Sequence, residues 1–298
     1  MSRQDRISHY GQPVPAGSPA DPAPDGIRLR VLSLGAGVQS TTLALMAARG
    51  EIGPMPTCAI FADTGWEPGA VYRHLHWLRS PGILPFPVHI VSAGNIRDGL
   101  IAGAEGGRWA SIPAFTRSID RSGRFSIGMI RRQCTKDFKI VPIRRKVRQL
   151  LGIWRRRSPG TPVAEQWLGI SWDEAIRMKP SFEDWQVNRW PLIERRMTRS
   201  DCLRWLQRHD YPEPPKSSCI GCPFHSNAHW RRIRDGDPEE WRDALEVDRR
   251  IRTGFRGIRG EVFLRRSAVP LDQADLRNDA DLGQLDLWPN ECEGMCGV

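Results

Sequence analysis

The pattern Cys219-Ile220-Gly221-Cys222 carries the clearest chemistry in this chain. Two cysteines separated by two residues around a glycine turn both thiolates to one side, where they can share a metal centre. That spacing argues for metal and leaves iron–sulfur and zinc both open. Cys292 and Cys296 add two thiols near the C-terminal end, and with Cys219 and Cys222 they would close a four-thiolate zinc site, His225 being a further possible ligand. The same two cysteines are candidate catalytic thiols, because a thiolate on a short irregular segment can reach a bound substrate without packing built around it. Seven cysteines is an odd number and argues for ligation or catalysis over a disulfide framework. Cys58 in an apolar run and Cys202 in a helical one read as small buried hydrophobes. His225 and His229 have the i, i+4 spacing of a helical pair, but a structural role is favoured for both, with His225 the better candidate to support the metal or substrate. His74 and His76 lack that spacing and read as packing or surface residues.

A second constellation is Gly35-Ala36-Gly37-Val38-Gln39-Ser40, which follows an apolar run and opens a helical pattern. At such a junction the unpaired N–H groups and the helix dipole attract an anion, and small residues let a phosphate approach the backbone. The motif half matches the dinucleotide fingerprint and lacks the lysine of the Walker loop. Asp63-Thr64-Gly65 ends the next apolar run, and in a parallel sheet it would lie beside the first loop across the strand ends.

These residues need elements to hold them. Residues 27–34 read as a buried strand, 40–49 as a helix stopped by Gly50, 58–62 as a second strand, 68–79 as a helix and 87–92 as a third strand. Strands alternating with helices at this spacing give βαβ units around a parallel sheet. Residues 95–131 are Gly- and Arg-rich and read as an active-site loop. Further on, 139–151 reads as a basic amphipathic helix, 166–170 as a strand, 198–209 as a helix opened by Thr198, and 238–252 as another helix. Residues 1–26 are rich in Pro, Gly, Ala and Ser and are expected to be disordered. The expected division is therefore a tail over 1–26, a nucleotide-binding domain over 27–230, and a helical extension with a Cys-containing tail over 231–298.

The formal net charge of +10 is uneven, with fourteen Lys or Arg residues between positions 117 and 157 against Asp120 and Asp137. That run calls for an anionic partner such as phosphate or nucleic acid, although a solvated basic face is the plainer reading. No apolar run approaches the roughly 18 residues of a membrane span, and no signal peptide opens the chain, so a cytoplasmic protein is expected.

Ser33 to Ser40, followed by Phe61-Ala62-Asp63-Thr64-Gly65-Trp66-Glu67-Pro68 and then Tyr72, resembles the phosphoadenosine phosphosulfate (PAPS) reductase family of the PP-loop superfamily. Three further blocks are similar and in order. They are Arg131-Arg132-Gln133-Cys134 with Lys139-Ile140-Val141-Pro142, then the stretch from Gly169 through Glu174 to Arg177 with Pro191-Leu192, and finally Cys219 to Pro223. The resemblance spans residues 28–225. It implies an α/β fold of the adenine nucleotide α-hydrolase type, a Rossmann-like parallel sheet flanked by helices, with a C-terminal metal-bearing extension. It also implies an adenine nucleotide, ATP or a sulfonucleotide, held by Ser33, Gly35, Ala36, Gly37, Gln39, Ser40, Asp63, Thr64, Gly65 and Arg177, with Asp63 contacting the nucleotide or its magnesium ion in turnover. By resemblance to iron–sulfur adenylylsulfate reductases, Cys134 joins Cys219 and Cys222 at a four-iron (4Fe-4S) cluster. The fourth iron is then held by Cys292 or Cys296, or left open for sulfide or substrate.

Two departures narrow the expected activity. Gln39 stands where the family usually has Asp, and Glu291-Cys292 is only half of the reductases' catalytic tail motif. The leading expectation is nucleotide-activated sulfur transfer to a nucleic acid or nucleotide acceptor, served by a sulfur or electron donor protein. Adenylylsulfate or PAPS reduction with release of sulfite is the alternative. A metal-stabilised nucleic-acid-binding protein with a degenerate loop is the non-catalytic one.

Overall fold

In a computed structural model of the chain, residues 26–107, 112–277 and 281 are described. In chain order the first elements are β1 (Leu29–Leu34), α1 (Val38–Ala48), β2 (Cys58–Asp63), α2 (Gly69–Leu78), β3 (Val88–Ser92) and α3 (Ile96–Ala104). A hairpin of β4 (Phe115–Ile119) and β5 (Phe125–Met129) follows, then α4 (Val141–Leu150), β6 (Ala164–Leu168), β7 (Gln186–Arg189), α5 (Pro191–Glu194) and α6 (Arg199–Arg208). The last are α7 (Asn227–Gly236), α8 (Pro238–Arg250) and β8 (Glu261–Phe263). The described residues divide into two compact units, one of residues 26–62, 69–91 and 142–217, the other of 63–68, 92–141 and 218 onward.

The first unit is a five-stranded sheet in the order β3-β2-β1-β6-β7, with β1 parallel to both β2 and β6 and β6 parallel to β7. Its central strands β1 and β2 are largely apolar on both faces because both faces are covered. Leu32 and Leu34 of β1, Phe61 of β2 and Trp167 of β6 pack with α1, α2 and α6. On the opposite face Leu29 and Val31, Cys58 and Ile60, and Ala164 pack with Ile143 and Val147 of α4. The period-2 alternation along β1 and β2 thus feeds two separate apolar layers. Thr198 caps α6 by accepting from Asp201 N while the Asp201 carboxylate accepts from Thr198 N, a reciprocal capping box. The expected α/β parallel sheet flanked by helices is the architecture found, and among the described residues no helix is long and apolar enough to cross a membrane.

The second unit has its own core, in which Trp66, Leu100 of α3, Trp230 and Ile233 of α7, Val247 of α8 and Val262 of β8 are buried together. Its sheet is antiparallel, in the order β5-β4-β8. Buried Asp248 organises one end, accepting hydrogen bonds from Leu264 N at 2.9 Å and Leu271 N at 3.1 Å and pairing with Arg252.

One expectation needs correction here. Residues 95–131 are not an open loop but hold α3, capped by the Asn95 side chain, and the β4–β5 hairpin. The hairpin's alternation is short and largely solvent-facing, so its apolar residues do not announce a core. Basic residues 139–151 are helical as expected, and the helix begins earlier, as a π-helix over Thr135–Ile140 that runs directly into α4. Helix α7 is a further element, obscured in the sequence because its buried positions His229, Trp230 and Ile233 lie among arginines.

His74 supplies a pH test of the first unit. It is buried, with Nε2 3.0 Å from Thr41 Oγ1, and burial pushes its imidazole down to about 4. The unfolded chain therefore takes up this proton first as pH falls. Stability from neutral His74 is fully present above about pH 6.5 and is lost as pH falls towards about 4, by roughly 3 kcal/mol. Urea midpoints of the parent should fall across this window, and His74→Gln should remove that part of the fall.

Candidate functional site

Strands β1 and β6 are neighbours in the sheet, and the chain runs outward from them in opposite directions, to β2 and β3 on one side and to β7 on the other. Such a reversal opens a crevice at the C-terminal strand ends, where α/β sheets bind ligands. The Gly35–Ser40 motif and the segment after β6 meet there. A Cβ on Gly169 would come within 2.8 Å of Ser40 N, so only glycine lets the second segment lie against the loop. Ala36 takes a left-handed backbone at φ +54°, an unusual conformation for a residue with a Cβ. Ser40 Oγ accepts from Gly35 N at 3.1 Å and donates to Gly37 O at 3.3 Å, which closes the loop on itself. Gly37 caps α1 without a side chain, leaving the first-turn N–H groups to a ligand.

Polar side chains gather around this loop. Gln39 Nε2 donates to Glu174 Oε2 at 3.2 Å and Ser171 Oγ at 3.4 Å, and Gln39 Oε1 accepts from Arg199 Nη1 at 3.4 Å. Arg177 forms an ion pair with Glu174. Ser217 closes in from another side, 3.2 Å from where a Gly37 Cβ would stand. Ser33 is turned into the sheet, its Oγ accepting from Gln166 Nε2 at 2.6 Å, and Gln186 Nε2 in turn donates to Gln166 Oε1 at 2.7 Å. Arg177, Gln39 and Ser40 thus lie together at the loop, while the hydroxyl of Ser33 joins a ladder across β1, β6 and β7. Arg199 and Ser217 were missed by sequence reasoning. Arg199 directly follows a helix cap and Ser217 a proline-rich stretch, and neither position carries a motif.

The three candidate ligand cysteines belong to the second unit. Cys134, Cys219 and Cys222 line one cleft of about 530 Å³, its mouth included, together with Thr64, Trp66, Arg132, Lys139 and Phe224. The π turn follows Cys134 directly, and such turns recur at functional sites. The Cys219–Cys222 turn is fastened to Trp66: Ile220 N donates to Trp66 O at 2.9 Å, and a Cβ on Gly221 would come within 2.0 Å of the indole. Trp66 is held in turn by its Nε1 donating to Asp243 Oδ2 at 2.6 Å. His225 Nε2 lies 3.0 Å from the carbonyl oxygens of Cys219 and Ile220, so this histidine braces the backbone of the turn.

Beneath the cleft Glu67 is 4% exposed. Its Oε1 accepts from Thr64 Oγ1 at 3.0 Å and lies 3.8 Å from Lys139 Nζ and 3.9 Å from Cys219 Sγ, while Oε2 has no hydrogen-bond partner. Burial, and then the Glu67 charge, push the Cys219 thiol up to about 12, and Lys139 acts against them. Thr64 therefore serves this cleft with its hydroxyl. Asp63 Oδ1 accepts from Gly65 N at 2.8 Å, and Gly65, at φ +73°, lies so close to Asn95 that a Cβ would come within 3.0 Å of it. Cys58 and Cys202 are buried at 2% and 0% exposure, as small apolar residues.

The donor set of this cleft is three cysteine thiols. Three thiols on one cleft are soft ligands suited to iron–sulfur or zinc. Among the described residues no three His, Cys, Asp or Glu side chains converge as they would around one ion. Cys292 and Cys296, and with them the closed four-thiolate zinc site and the catalytic thiols, lie outside the described residues.

Fold and sites together define a doubly wound α/β protein with a glycine-rich loop after its first strand and a thiol-lined cleft in its second unit. No family model matches the chain, and no curated protein matches it. Among solved structures it is similar to a phosphoadenylyl-sulfate (PAPS) reductase from Candida auris in a phosphate complex, at 11% identity and a TM-score of 0.38, over 72% of this chain and 82% of that one.

Proposed function

We propose that the chain is a nucleotide-using enzyme of sulfur chemistry that transfers sulfur to a nucleic acid or nucleotide acceptor, with a four-iron cluster held by Cys134, Cys219 and Cys222. The observation that carries this reading is that Cys134, far away in the sequence, lines the same cleft as the Cys219–Cys222 pair. When bound, such a cluster supplies an iron site that holds sulfide at the reduced level. Lys139 and Arg132, both lining the cleft, offset the negative charge of the thiolates and of an incoming sulfur anion.

The loop after β1 performs the activating half. First-turn N–H groups of α1 hold the nucleotide phosphates, and Arg199 beside Gln39 adds positive charge. An oxygen of the acceptor attacks the α-phosphorus of ATP, and the bond to pyrophosphate breaks. Sulfur, supplied at the sulfide level by a donor protein, then attacks the carbon that bears the adenylated oxygen; the C–O bond breaks and AMP leaves with the electron pair. ATP–pyrophosphate exchange that requires the acceptor is the expected signature. Sulfite release from a sulfonucleotide, with no exchange, would replace this scheme with a reductive one.

A further inference from the structure

The hairpin of β4 and β5 has no part in either site. Its register puts Phe115, Arg117 and Ile119 opposite Met129, Ile127 and Phe125, so these six side chains share one face. Four of them stand well into solvent: Ile119 at 62% exposed, Phe125 at 61%, Ile127 at 56% and Met129 at 53%. Soluble proteins rarely leave such a patch without a use. Strand β5 is also the edge of its sheet, exposed along its whole length.

The charges around this face are mainly positive, with Asp120 and Glu261 the acidic residues beside it. Arg121 and Arg124 lie at the hairpin tip, and Arg131 and Arg132 follow β5. Asp120 is the acidic residue of the segment, and its Oδ1 is committed to the turn, accepting from Ser122 N at 2.8 Å and Arg124 N at 3.0 Å. On the face itself the Arg117 guanidinium lies 5.9 Å from the centre of the Phe125 ring and 4.8 Å from that of Phe263, and pairs with Glu261. An exposed aromatic ring beside arginines, on the open face of an antiparallel sheet, suits unstacked bases and a phosphate chain.

We propose that the β4–β5 hairpin is a docking surface for single-stranded nucleic acid, with Phe125 as the stacking platform and Arg121 and Arg124 on the phosphates. This rests on the reading of the acceptor as a nucleic acid and names its form and its place of contact. A second copy of the chain is the weaker occupant, because two copies each carrying a net charge of +10 repel one another, whereas a polyanion satisfies the tip arginines. Base-specific readout is not implied, since every base has a face on which to stack.

Fluorescence anisotropy with a labelled single strand of about twelve nucleotides, within the usual range of such footprints, tests the assignment across a salt series. Full-length parent should bind, with affinity falling steeply as salt rises. Phe125→Ala should weaken binding about tenfold. Arg121→Ala with Arg124→Ala should lower the slope of log affinity against log salt by about 1.4, the value for two phosphate contacts on a single strand. All three positions are exposed, and unchanged melting of each variant excludes misfolding as the cause. Parent-like binding and slope in both variants would overturn the hairpin assignment and leave the nucleic-acid reading standing. No binding by the parent at low salt would overturn both. A parent dimer that Ile127→Lys makes monomeric, with nucleic-acid binding untouched, would assign the surface to a second copy and overturn the proposal.

Discussion

Cys134→Ala is expected to lower the iron and sulfide content of anaerobically prepared protein at least about tenfold, while nucleotide affinity stays at the parent level. Removing one of three thiolates costs a whole ligand bond, whereas even supporting residues around a metal change affinity by about ten- to a hundredfold. The variant should also be informative about folding. Cys134 sits at the start of the π turn and is partly exposed to the cleft, so its truncation opens no closed cavity in the core. Nucleotide binding is the internal control, because the loop residues belong to the other compact unit. Iron and sulfide retained at parent levels would remove Cys134 from the ligand set. Cys202→Ala is the matched comparison: Cys202 is 0% exposed and burial pushes its thiol up to about 12, so this change should lower stability and leave metal content alone.

Gly37→Val is expected to weaken ATP binding about a hundredfold, near the worth of one or two hydrogen bonds to a charged group. The backbone at Gly37 is extended, with φ −101° and ψ −178°, so a side chain is not forbidden by conformation. The obstacle is spatial. A Cβ would stand 3.2 Å from Ser217 Cβ, and the added methyls would cover the approach to the uncapped first turn of α1. Gly37→Ala should therefore be milder than valine and should be partly rescued by Ser217→Gly, which removes the contacting atom. Calorimetric titration of the four proteins with ATP decides, and parent-like binding by Gly37→Val would exclude the loop as the nucleotide site.

The parallel unit was legible because its signals are local. Leu29 to Leu34 and Cys58 to Ala62 are apolar on both faces, and short helices follow at βαβ spacing, so strand, turn and helix can be read from neighbouring residues alone. Gly35 to Ser40 was legible for the same reason. Other features depend on residues far apart in the chain. Ser217 closes on Gly37, Arg199 reaches Gln39, and Glu67 sits beneath Cys219 only after folding, and none of these pairs leaves a periodic trace. Thr64 adds a contact of the same kind: it adjoins Asp63 in a motif read for nucleotide, and its hydroxyl also meets Glu67 and Cys219. The hairpin escaped because five exposed positions in β5 alternate Phe125, Ile127 and Met129 with Ser126 and Gly128 over too short a run to be distinguished from loop.

The central claim is that Cys134, Cys219 and Cys222 hold an iron–sulfur cluster, and metal analysis of the full chain purified without oxygen tests it most directly. Iron, acid-labile sulfide and zinc are measured on one sample alongside its visible absorption. The account predicts a brown protein with about four irons and four sulfides per chain, the content of one such cluster, bleached by oxygen and by iron chelators. A colourless protein with about one zinc per chain and no sulfide, the content of a closed thiolate site, would contradict it.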